Sequence, residues 1–169
     1  MRLSRRHLLA LIGAAGAVAA AGAASVGLRW WDQAPDAPFG ALEDEEAAVV
    51  RAVGAAAFPG GATIALHGRD ADLDRFFDVL LLALPATQRK LLKLLLHALE
   101  FGAVLDQGGR LSALPEERQR AFVMGLLAHP VAEVRGAVQG LVVLLGMGYT
   151  THPEVAPVMS AWHRCGYGQ

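Results

Sequence analysis

From residue 42 to residue 162, apolar positions recur about every 3.6 residues, and clusters of Pro and Gly cut the pattern into pieces of helical length. Val49, Val50, Val53 and Ala57 predict a first helix from Glu43 to about Phe58, ended by Pro59-Gly60-Gly61. Leu73, Phe76, Phe77, Leu80, Leu81 and Leu84 predict a second over 71–84, broken at Pro85. A third runs from Pro85 or Ala86 to about Leu105. Its Arg89, Lys93, His97 and Glu100 form one narrow polar face, while Leu91, Leu92, Leu94, Leu95, Leu96 and Leu99 cover nearly everything else. So wide an apolar surface predicts the central helix of the domain, wrapped on most sides, with the polar stripe turned to solvent or to a partner.

Pro115 at a first helical position, with Glu116 and Glu117 in the first turn, predicts a fourth helix ending near His129-Pro130. Val134, Val138, Leu141, Val142 and Leu145 predict a fifth over 131–145. Gly146, Gly148 and the stretch Tyr149 to Pro153 are expected to stop it. Gly136 and Gly140, one turn apart, suit close packing against another helix. Residues 154–162 allow one more short helix. Residues 60–70 read as a loop, and Thr63 to Leu66 has no second strand to pair with. The expected fold is all-α: a compact bundle of about five to six helices over 43–169, preceded by a linker over 32–42 and an N-terminal signal or anchor helix within 1–31.

The first 31 residues break the pattern. Apolar and small residues run uncharged from Leu8 to Leu28, about 31 Å if helical and close to the thickness of a bilayer core. Arg5 and Arg6 precede the run, and Trp30 and Trp31 follow it where a membrane interface favours tryptophan. Ser4, Arg5, Arg6, Leu8 and Leu9 resemble the twin-arginine (Tat) export signal, which implies the Tat translocase as a partner and export to the periplasm in a folded state. Ala21-Gly22-Ala23 offers a cleavage site, whereas an uncleaved 8–28 segment would anchor the body in the inner membrane. Both readings stand at this point.

Composition supports helices over sheets: 54% of the 169 residues are hydrophobic but only 7% aromatic. Three of the 15 basic residues, Arg2, Arg5 and Arg6, lie in the leader, so the rest carries 12 against 16 acidic residues. A net-acidic body without a basic stripe argues against nucleic acid as a partner. The single cysteine, Cys165, forms no internal disulfide and reads as a spectator or a partner-facing thiol.

The residues offer little chemistry of their own. His67, His97, His129, His152 and His163 show no zinc spacing, and no phosphate loop, dinucleotide fingerprint or nucleophile elbow occurs. His97, the best-placed haem ligand, lies on a charged face. Glu43 to Glu46 and Glu116-Glu117 read as helix N-terminal charge rather than acid–base machinery. No catalytic, cofactor-binding or metal-binding residue is therefore expected in this chain. The candidates for a partner interface are Arg89 and Lys93 on the polar stripe, and Tyr149, Trp162 and Tyr167 near the C-terminus, the aromatics serving either as core closure or as interface anchors.

The order of segments resembles the gluconate 2-dehydrogenase subunit 3 (gamma subunit) family. A twin-arginine leader precedes "EEAAVVRAVGAAAFPGG", then come "LDRFFDVLLLALPATQRKLLKLLLHALE", "LSALPEERQRAF" and a closing "LLGMGYTTHPEV" and "GYG". Phe58-Pro59-Gly60, Pro115 to Arg118, Gly148-Tyr149 through Pro153 and Gly166-Tyr167 carry most of the likeness. The chain departs at Thr150, where a second aromatic is common, and in a longer stretch around Trp162 to Cys165. The resemblance implies a non-catalytic accessory subunit that escorts an FAD-containing sugar, sugar-acid or alcohol dehydrogenase through the Tat pathway, in some complexes beside a cytochrome c subunit. The alternative reading is a stand-alone periplasmic or membrane-anchored helical domain that binds a small ligand.

Overall fold

Short side chains decide which helix sits at the centre. The computed structural model describes residues 35–162 and consists there of α1 (Asp44–Ala57), α2 (Leu73–Ala83), α3 (Ala86–Gln107), a 3₁₀ turn (Leu111–Ala113), α4 (Glu116–Leu127), α5 (Ala132–Thr151) and α6 (Ala156–Trp162). No strand occurs among the described residues, and the domain is an all-α bundle. The chain divides into Met1–Ala34 and the unit Pro35–Gln169. The leader residues Ser4, Arg5, Arg6, Leu8 and Leu9, with Tyr167 and Cys165, lie outside the described residues. Among the described residues no helix is long and apolar enough to cross a membrane.

The central helix is α1, not the third helix that the leucine pattern suggested. Nine of its 14 residues are buried, and α2, α3, α4 and α5 all pack on it. Ala47, Val50, Val53, Gly54 and Ala56 are short enough for neighbours to close in from several sides. At Gly54 the approach is backbone to backbone. The loop after α1 crosses there, and a Cβ on Gly68 would stand 2.1 Å from the Gly54 carbonyl oxygen.

The segment read as a linker is packed. Asp78 of α2 accepts hydrogen bonds from the backbone N–H groups of Gly40 (3.0 Å), Ala41 (2.8 Å) and Leu42 (2.9 Å). Leu42 is fully buried beside them. A carboxylate that collects three backbone donors fixes a chain segment without regular structure, and this one aligns residues 40–42 for entry into α1.

Helix α5 continues through both glycines expected to stop it and ends at Thr151. Gly148 is there for closeness: a Cβ would stand 2.5 Å from Cδ1 of Phe76 on α2. Replacing Gly148 by Ala is therefore expected to lower stability by about 1–2 kcal/mol, the overpacking cost exceeding the gain in helix propensity. Chemical denaturation checks this, and an unchanged midpoint would show that Phe76 moves aside freely.

Candidate functional site

The rotation of α3 about its own axis creates the site, and a buried charge cluster sets that rotation. Glu43, at the N-cap of α1, and Glu46, one turn further, face Lys93 and His97 of α3. Lys93 Nζ lies 2.9 Å from Glu46 Oε2 and 3.7 Å from Glu43 Oε1, and it donates to the Ala41 carbonyl at 3.0 Å. His97 Nε2 lies 3.0 Å from Glu46 Oε1. The Glu43 N–H donates to Glu46 Oε2 at 3.1 Å, closing a capping box at the start of α1. The Lys93 side chain is only 12% exposed and that of Glu46 not at all.

Electrostatics treats the two glutamates differently. Burial alone would push the Glu46 carboxyl up, but hydrogen bonds from His97 and Lys93 outweigh it and hold the group below its ordinary value. Glu43 is pushed up, first by burial and then by the neighbouring Glu46 charge, against a weaker pull from Lys93 and His97. The cluster thus contains one carboxylate whose charge is held by its partners and one whose charge its surroundings oppose.

Two more residues of the same stripe bond inward. Arg89 donates to the Leu81 and Leu84 carbonyls at the end of α2, a favourable place for a cation. Glu100 accepts from the Ser112 N–H at 2.9 Å and hydroxyl at 2.6 Å, fastening the 3₁₀ turn. The polar face of α3 is therefore not solvated. It joins α3 to α1, to the end of α2 and to the turn.

With the polar stripe turned in, Leu96 and Leu99 stay buried beside it, and the apolar residues on the far side of the helix turn out. Leu105 is 93% exposed and Leu91 60%, and Leu94, Phe101 and Val104 are exposed with them. Beside this face lies a groove between α3 and α5, joined in its larger section by Phe122, Gly125 and Leu126 of α4; its two sections have volumes of about 710 and about 580 Å³ and meet at Leu95 and Ala137. Leu91, Leu92 and Leu95 form one wall and Gly136, Ala137 and Gly140 part of the other. Val143 and Met147 extend the exposed apolar positions along α5. Contiguous apolar surface on a small domain marks a place where another molecule binds.

The structure separates the candidates named from sequence. Arg89 and Lys93 make their bonds inside the domain. Tyr149 is buried, stacks on Phe58 with ring centres 4.5 Å apart, and donates its hydroxyl to the Leu66 carbonyl at 2.7 Å. It closes the core against the 58–72 loop. Burial raises its phenol above the ordinary value. Trp162 ends α6, and its side chain lies outside the described residues. The residues that sequence reasoning missed as surface are the leucines themselves. Their signal was present: the stripe carries both signs of charge, and the start of α1 offers two acids to meet it. Compared with known families, with curated proteins and with solved structures, the chain finds no match in any of the three.

Proposed function

We propose that this chain is a non-catalytic accessory subunit that escorts an FAD-dependent dehydrogenase through the Tat pathway and stabilises it by direct binding. The observation that carries this reading is the outward leucine face of α3 beside an open apolar groove. The polar stripe of that helix, Arg89, Lys93, His97 and Glu100, is bonded within the domain, so the far side presents a surface that lowers its free energy by being covered. The likeness of the leader to a Tat signal, and of the segment order to the gluconate dehydrogenase small subunits, supplies the kind of partner. On this reading substrate, flavin and any cytochrome c belong to the partner complex, and the periplasm is the working compartment.

The neighbouring gene is then expected to encode a flavoprotein of the glucose-methanol-choline type without its own signal peptide. Changing Arg5 and Arg6 together to Lys is expected to leave both proteins in the cytoplasm, read by fractionation and by dehydrogenase activity outside the inner membrane. Continued export of the flavoprotein would contradict the escort role. The rival reading, a self-sufficient domain whose groove takes a small molecule, predicts that the chain purifies alone and exports no second protein.

A further inference from the structure

Resting on that reading, we infer that the α3–α5 groove seats one α-helix of the partner polypeptide, apolar along its length and carrying Lys or Arg at the end that lies over Asp106 and Glu133. The wall from Leu91 to Asp106 is about 22 Å long at the helical rise per residue, enough for four turns. Gly136 and Gly140 stand one turn apart on α5, and a Cβ at either would meet nothing within 4 Å. Glycine in an exposed helix interior costs about 1 kcal/mol relative to alanine. Two such residues on one ridge open a place where a second helix can approach α5 closely, as small residues four apart do elsewhere. No helix among the described residues takes that place.

Polarity along the groove sets the direction. One end is apolar, at Leu91, Val143 and Leu144. The other is lined by Asp106 and Glu133 beside His129; Asp106 accepts from the neighbouring Gln107 amide at 2.7 Å, and among the described residues neither carboxylate forms an ion pair. A helix whose basic end lies there matches both the apolar length and the acidic end. A second copy paired through the same face does not: no Lys or Arg lines either section of the groove, so the matching face would bring neither.

The test uses the full chain produced together with the flavoprotein, with a benzophenone amino acid in place of Gly140. Irradiation is expected to join it to a helix of the flavoprotein. Gly136→Leu, which fills the groove, is expected to weaken the complex at least about tenfold, and Asp106→Lys with Glu133→Lys by a similar factor. Circular dichroism of each variant confirms that it folds. If the flavoprotein co-purifies but the probe at Gly140 attaches to nothing, or Gly136→Leu binds as tightly as the parent, the groove is not the seat, although the escort reading survives. A crosslinked pair of identical chains, or a link back to residues 1–34, overturns the inference equally. If no flavoprotein co-purifies, the escort reading fails on its own. The groove is then probed with a synthetic apolar helix of about 15 residues, matched to the groove length, ending in two lysines or in two glutamates. About tenfold preference for the lysine end, lost in Gly136→Leu, supports the seat for a basic-ended helix; equal binding overturns it.

Discussion

Glu46→Gln is expected to lower the free energy of unfolding by about 3 kcal/mol at neutral pH, because it leaves Lys93 and His97 without the carboxylate that compensates their burial. Glu43→Gln is expected to change it by less than about 0.5 kcal/mol in either direction, since burial and Glu46 already oppose the Glu43 charge. Two glutamates three residues apart thus differ severalfold in effect, and urea denaturation of the two variants measures the ratio. The pH dependence carries the same signature. Glu46 titrates in the folded protein below its ordinary value of 4.5. Its stabilising share is therefore complete above that value and disappears as pH falls through the folded pKa. Glu43 has the opposite sign: with its folded pKa raised, its contribution is present below 4.5 and is lost as pH rises through the folded value. The parent protein should show a shallow acid transition and Glu43→Gln a steeper one, whereas Glu46→Gln should lose no stability on acidification from this pair, because protonation of Glu43 acts in the opposite direction. Equal losses in the two variants would mean that Glu43 anchors α3 as much as Glu46 does.

Asp78→Ala is expected to cost about 3 kcal/mol, since three backbone donors lose a charged acceptor and two of them, Ala41 and Leu42, are buried where water cannot replace it. Asp78→Asn keeps one carbonyl oxygen and should cost roughly half as much. The loss should be local before it is global. Amide exchange at Ala41 and Leu42 should accelerate well before the core of α1, and a protease should gain access to residues 35–42 while α4 and α5 stay protected. The Lys93 bond to the Ala41 carbonyl connects this segment to the charge cluster, so Asp78→Ala combined with Glu46→Gln should cost less than the sum of the two. Strict additivity would show that the segment and the cluster act independently.

The sequence revealed the helices far better than their rotations. Periodicity and the Pro and Gly breaks place all six helices to within a few residues, apart from the C-terminal end of α5. There Gly146 and Gly148 look like terminators when only the local chain is considered, and for Gly148 Phe76 on another helix supplies the real reason. The 3₁₀ turn was not visible because it depends on Glu100, 12 residues upstream, accepting from Ser112. The reversal of α3 has the same origin. A helix with four charged or polar residues on one stripe and leucines elsewhere points its leucines inward by any rule that treats the helix alone. That rule fails when another helix begins with two acids placed to receive a Lys and a His, because pairing satisfies the stripe, keeps Leu96 and Leu99 inside with it, and leaves Leu91, Leu94 and Leu105 on the surface. The site was hidden by this long-range pairing, although each of its residues was in plain view. Arg89, Lys93 and Tyr149 drew notice as polar or aromatic outliers and turn out to hold the domain together. Leu91 and Leu94 looked like ordinary core, and Leu105 like no more than the end of the helix.

The proposed function requires that a flavoprotein cover the outward face of α3. Changing Leu91, Leu94 and Leu105 together to Lys tests it directly, with the full chain and the flavoprotein produced together. Since all three side chains are exposed, the variant is expected to keep the helical circular dichroism and the unfolding midpoint of the parent. It is expected to lose the co-eluting partner and the flavin absorbance that marks it. A triple variant that folds and still elutes with a full complement of flavoprotein would contradict the account.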